Sequence, residues 1–89
     1  MNSYDVIVGS NNKTGELETE RIIEITSRYY DKYMIIPHVI SVENCSREEL
    51  AIVVVTSDEN KLIKYCTEVR RELNQHEVAY RQSCEIKSV

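Results

Sequence analysis

The run Leu50-Ala51-Ile52-Val53-Val54-Val55 decides the fold. Side chains branched at Cβ suit a pleated, packed surface better than a helix interior. An uninterrupted apolar run of this length is the pattern of a strand covered on both faces, in the middle of a sheet. Just upstream, Asn44-Cys45-Ser46-Arg47 has turn chemistry. Before it, Tyr33 to Val42 is again apolar but contains Pro37, which cannot donate a ladder hydrogen bond and therefore belongs on an edge strand or at a bulge. These two runs read as a hairpin, strands two and three, with strand two at the sheet edge.

Downstream, Thr56-Ser57-Asp58-Glu59 fits a capping box, in which Thr56 and Glu59 satisfy backbone donors at a helix start. A second helix follows, with Leu62, Cys66, Val69 and Leu73 on one stripe. After Asn74 the period becomes two. Val78, Tyr80, Gln82, Cys84 and Ile86 alternate with Ala79, Arg81, Ser83, Glu85 and Lys87, which predicts a half-exposed strand four at the other edge. At the start of the chain, Tyr4 to Val8 reads as strand one, closed by Gly9 and a polar loop to Gly15. From Glu16 to Tyr30 the stripe of Leu17, Ile22, Ile25 and Tyr29 predicts helix one.

The order is βαββαβ in one domain spanning residues 1–89. Right-handed crossovers favour an α+β, ferredoxin-like arrangement: a four-stranded antiparallel sheet ordered 4-1-3-2 with both helices on one face. The pattern agrees, since the continuous apolar strands one and three fall in the centre and Pro37 falls on an edge. The chain holds twenty valines and isoleucines against four leucines, and only two glycines and one proline, so a sheet supplies much of the core and linkers are scarce.

In this arrangement alternate residues of the central strands point away from the helices. Whichever row of strand three faces inward, the other presents Leu50, Ile52 and Val54, or Ala51, Val53 and Val55, to solvent. With Val6 and Val8 inward, Ile7 joins the open face, and Val39 is expected there too. Leaving such side chains wet forfeits roughly 1.5 to 3 kcal/mol each relative to full burial. The expectation is a homo-oligomer, dimer or trimer, or a protein partner seated on Ile7, Val39, Ala51, Val53 and Val55, with Arg81 in a polar rim. Tyr30 and Tyr33, at the end of helix one, are candidate anchors for such a partner.

Fifteen acidic and eleven basic residues give a net charge of −4 without long runs of like charge. That disfavours nucleic acid, whose binders carry a basic stripe. No apolar run reaches the roughly 18 residues that a membrane span needs, and no leader-like segment opens the chain, so a cytoplasmic location is expected. Cys45, Cys66 and Cys84 form an odd, widely spaced set with no CxxC pair, which suits reduced thiols in the cytosol and offers no zinc motif. No cofactor is implied.

The loop Gly9-Ser10-Asn11-Asn12-Lys13-Thr14-Gly15 is the strongest local candidate for a ligand site, because it leads into a helix whose free N–H groups attract anions. Ser10, Asn11, Asn12, Lys13 and Thr14 are its expected binding residues for a phosphate or carboxylate. Lys13-Thr14-Gly15 does not have the Walker order, and the glycine spacing matches no dinucleotide fingerprint. His38 and His76 lack the i, i+4 partner of a helical zinc site, and no carboxylate pair stands out as acid and base. RNA-binding domains of this topology place aromatics on strands one and three to stack bases, and strand three here carries none. In topology alone the chain resembles the trimeric nitrogen-signalling and metal-tolerance proteins, a likeness that implies no function.

The favoured expectation is therefore a non-catalytic intracellular binding module, a small acidic inhibitor or adaptor of the kind that phages and mobile elements encode. Two alternatives stand beside it: an oligomeric sensor of an anionic metabolite or nucleotide at the loop after strand one, and a cofactor-free enzyme using His38.

Overall fold

A computed structural model describes residues 1–42 and 45–82. The elements are β1 (Asn2–Val8), α1 (Thr19–Tyr29), β2 (Met34–Val42), β3 (Cys45–Thr56), α2 (Glu59–Glu72) and β4 (Ala79–Gln82). The four strands form one antiparallel sheet in the order β2-β3-β1-β4, which is the expected order read from the other edge. The apolar strands β3 and β1 hold the centre, and Pro37 lies on the edge strand β2. There its missing donor leaves no gap in a central ladder.

Alternation along each strand settles which row is covered. Tyr4, Val6 and Val8 of β1 and Leu50, Ile52 and Val54 of β3 are buried, and the register sets Val6 beside Ile52 and Val8 beside Leu50. Both helices supply the other half of this core: Ile22 and Ile25 from α1, and Leu62, Tyr65, Cys66, Val69 and Leu73 from α2. Tyr65, three residues after Leu62, widens the α2 stripe read from the sequence. Its hydroxyl lies 2.6 Å from Thr26 Oγ1, which itself donates to the Ile22 carbonyl at 2.7 Å. A hydroxyl has one proton to give, so Tyr65 donates to Thr26 and every polar atom of the pair is satisfied.

Several boundaries differ from expectation. Helix α1 begins at Thr19 rather than Glu16 because residues 11–16 are held in a tight loop. Gly15 adopts φ +73°, its N–H donates to the Asn11 carbonyl at 2.7 Å, and the Asn11 N–H donates to the Glu16 carbonyl at 2.8 Å. Leu17 still packs on the core, from the loop. At α2 the cap is Asp58, whose carboxylate accepts the Lys61 N–H, while the Thr56 hydroxyl accepts the Asp58 N–H one turn earlier. The expected Thr56/Glu59 box is thus replaced by a shifted one-sided cap. Strand β3 starts at Cys45, inside the expected turn, because Val42 pairs with Cys45 and shortens the connection to residues 43 and 44. Strand β4 is described as far as Gln82, and the expected continuation with Cys84, Glu85, Ile86 and Lys87 lies outside the described residues.

Helix α2 ends in a Schellman motif: Asn74 takes φ +51° and the Gln75 N–H donates to the Arg70 carbonyl. This turn aims the Gln75 side chain back at β1, where Nε2 donates to the carbonyls of Ser10, at 2.6 Å, and Gly9, at 3.1 Å. The end of α2 and the loop after β1 are therefore fastened together.

Candidate interaction face

The row of the sheet turned away from the helices is apolar at Met34 and Ile36 of β2, at Ala51, Val53 and Val55 of β3, at Ile7 of β1 and at Ala79 of β4, with the polar Ser3, Asp5 and Arg81 among them. Register places Met34, Val53, Asp5 and Arg81 at one level and Ile36, Ala51, Ile7 and Ala79 at the next. Val55 and Ser3 pair beyond them on the central strands. Met34 is 60% exposed, Val55 56% and Ile36 45%. Ile7, Ala51 and Val53 are partly covered by these neighbours, and Ala79 is exposed. A contiguous patch of this kind is uncommon on a protein that works alone. On this face Arg81 Nε of the edge strand β4 lies 3.3 Å from Asp5 Oδ2 of the central strand β1.

The structure thus brings Ile7, Ala51, Val53, Val55 and Arg81 onto one face, and adds Met34 and Ile36, which the sequence reading left out. Their signal was present: residues of β2 on the same side as Ala51 are fixed once the hairpin register is known. Val39 differs. Its register position is opposite Glu48, in the alternate row to Met34 and Ile36, because the pairing of Ile36 with Ala51 leaves odd-numbered β2 positions in the other row.

The two tyrosines proposed as anchors are elsewhere. Tyr30 is only 8% exposed, with its ring edge-on to Tyr65 at 5.5 Å and Lys61 Nζ 4.7 Å from its centroid. It is a core residue, because the chain leaves α1 at this point and folds Tyr30 under α2. Burial raises its hydroxyl pKa. Tyr33 packs against the same core and exchanges a hydrogen bond with Ser27 at 2.7 Å, on the helix side of the molecule.

The loop after β1 forms one wall of a groove of about 530 Å³ at the end of the open face, lined by Ser10, Asn11 and Asn12 together with Ile7, Ala79, Gln75 and His76. Lys13 and Thr14 are not in its lining. Asn11 is only 4% exposed and its amide is already employed. Nδ2 donates to Glu18 at 3.1 Å, and Oδ1 accepts the Lys13 N–H at 2.8 Å and Asn74 Nδ2 at 3.4 Å. The groove also carries the carboxylates of Glu48, Glu49 and Glu77, and Glu18 and Glu20 stand at the start of α1. Of the anion site expected at Ser10, Asn11, Asn12, Lys13 and Thr14, the structure brings Ser10, Asn11 and Asn12 together in this groove, beside carboxylates that disfavour an anion.

His38 is exposed on the edge strand, paired in register with Glu49. Cys66 is buried, and burial pushes its thiol up to about 11, which leaves it protonated and unreactive at neutral pH. Among the described residues no group of three or more His, Cys, Asp or Glu side chains could hold a metal ion, and no helix is long and apolar enough to cross a membrane.

On the opposite surface, Arg28 of α1 meets Glu68 at 2.7 Å and Glu72 at 2.9 Å on α2, and Glu24 on its own helix at 3.0 Å. The Tyr29 hydroxyl also donates to Glu68. These donors, Tyr29 foremost, hold the Glu68 carboxyl below the ordinary glutamate range, and Arg28 is raised by its carboxylate partners, Glu24 first. The cluster joins two exposed helix faces and leaves them well solvated.

No family model, no curated protein and no solved structure matches this chain.

Proposed function

We propose that the chain is a non-catalytic binding module of ferredoxin-like arrangement that acts in the cytosol by protein association through the open face of its sheet, as a small inhibitor or adaptor. One observation carries the reading: the uncovered row presents a contiguous apolar patch, from Met34 and Ile36 through Ala51, Val53 and Val55 to Ile7, with Asp5 and Arg81 beside it. A protein surface seated there recovers the burial that the helices give the other row. The carboxylates of Glu24, Glu68 and Glu72 are paired with Arg28 on the helix faces, Asp58 caps α2 and Asp5 pairs with Arg81, which assigns them structural roles.

The test is Val53→Asp, which sets a charge in the middle of the face without touching the core. Protein recovered from its source cell and weighed intact under native conditions should carry a second polypeptide, of its own or another kind, and the variant should lose it while keeping its circular dichroism. A wild type that weighs as one bare chain, or a variant that keeps its companion, contradicts the reading.

A further inference from the structure

Deepening that reading, and resting on it, we infer that the partner of the open face is a basic protein, which seats an arginine side chain in the groove at the end of that face. Groove and face are continuous, because they share Ile7 and Ala79, which lie side by side on β1 and β4. Two residues on from the level of Ala51, Ile7 and Ala79 come Glu49, Gly9 and Glu77, and all three line the groove of about 530 Å³. Gly9 brings no side chain. The floor is therefore open between two carboxylates whose backbones lie two strand spacings apart, roughly 10 Å. The exposed Glu48 adds a third carboxylate to the lining.

Charge names the occupant. Where carboxylates gather elsewhere they have a cation of their own: Glu24, Glu68 and Glu72 share Arg28, and Asp5, on the open face itself, has Arg81. Among the described residues, Glu48, Glu49 and Glu77 form no ion pair, and neither lysine nor arginine lines the groove with them. The groove is thus where the face lacks a counter-charge, and like charges left together repel until one is supplied. A metal ion does not fit, since among the described residues no three His, Cys, Asp or Glu side chains stand where they could hold one. A guanidinium is wider and planar, and its forked N–H donors can reach two separate carboxylates at once. Its aliphatic stem covers Ile7 and Ala79 on the way in. The amides of the opposite wall do not compete for it: Asn11 is bonded to Glu18, Lys13 and Asn74, and Gln75 to the carbonyls of Gly9 and Ser10. The net charge of −4 also draws a basic partner as it approaches.

The experiment is an amide NMR titration of the purified full chain with a leucine-arginine-leucine peptide blocked at both ends. The control is the same peptide with citrulline, which keeps the shape of arginine without its charge. The arginine peptide should move the amide signals of Ile7, Gly9, Glu49 and Glu77 to saturation, and the citrulline peptide should bind at least tenfold more weakly. Glu49→Gln/Glu77→Gln, which leaves the core untouched, should reduce binding of the arginine peptide to the level of the control. Equal shifts from the two peptides, shifts centred elsewhere, or a double variant that binds like the wild type would overturn the inference. Saturation by spermidine where the peptide gives no shift would overturn it too, and assign the groove to a free polyamine. In the source cell the double variant should lose the companion that native mass measurement finds on the wild type. A companion kept by the double variant but lost from Val53→Asp would remove the arginine and leave the association reading standing.

Discussion

The two faces of the sheet are built from the same strands and differ only in which alternate residue they present. The inner row, Tyr4, Val6, Val8, Leu50, Ile52 and Val54, lies under two amphipathic helices and is buried. The outer row, one residue out of step, keeps an apolar patch from Met34 to Ile7 but also carries Ser3, Asp5 and Arg81, and neither helix covers it. Hydrophobicity alone therefore does not tell a covered row from an uncovered one. The difference lies in size and in what stands opposite: the inner row of β3 carries the larger Leu50 and Ile52 and meets helices, whereas Ala51 and Val53 of the outer row meet neither helix.

The contrast is broken most forcefully from the inner side. Ile52→Ala should lower the unfolding free energy by about 3 kcal/mol in urea titration, since it removes methyl groups from a fully buried site and leaves a cavity. Val53→Asp, one residue along and facing outward, should cost far less in the isolated chain while abolishing association, and equal destabilisation by the two would erase the distinction. Tyr65→Phe, which removes the donor to Thr26 within the core, should cost about 1 kcal/mol. Asp58→Ala, which uncaps α2, should cost a similar ~1 kcal/mol, measured in the same way.

The smallest effect belongs to the exposed cluster on the helices. The Glu68 carboxyl is held below its unfolded value, so its contribution is present above the ordinary glutamate range near about 4.3 and is lost as pH falls through the lower folded value. Thermal midpoints of the wild type should therefore decline slightly below that range. Tyr29→Phe, which removes the foremost donor to Glu68, should flatten that decline, and an unchanged profile would show that the contact contributes nothing.

Strand order was legible because its evidence is local: an apolar run long enough for a central strand, and Pro37 where only an edge accepts it. The parity of β3 was not, because Leu50-Ala51-Ile52-Val53-Val54-Val55 is apolar in both rows. Only pairing with β1, which sets Val6 beside Ile52 and Val8 beside Leu50, separates them. The greater bulk of Leu50 and Ile52 over Ala51 and Val53 was a usable hint. Tyr30 was legible in the apolar stripe of helix one as a packing residue, with a partner anchor as the alternative, and the structure buries it against Tyr65 just beyond the end of α1 at Tyr29. Asn11 resembled a ligand-binding amide because its engagement by Glu18 and the Lys13 N–H depends on how the loop folds, and its contact with Asn74 spans 63 residues of chain, which local pattern does not encode.

Oxidation of Met34 reads the outer face directly, because Met34 is exposed on that face, on the edge strand β2 beside Val53. Brief peroxide treatment of intact source cells, followed by peptide mass analysis, should find Met34 in the wild type oxidised several-fold more slowly than Met34 in Val53→Asp. Equal rates in the two would mean that the face is bare in the cell, and would contradict the account.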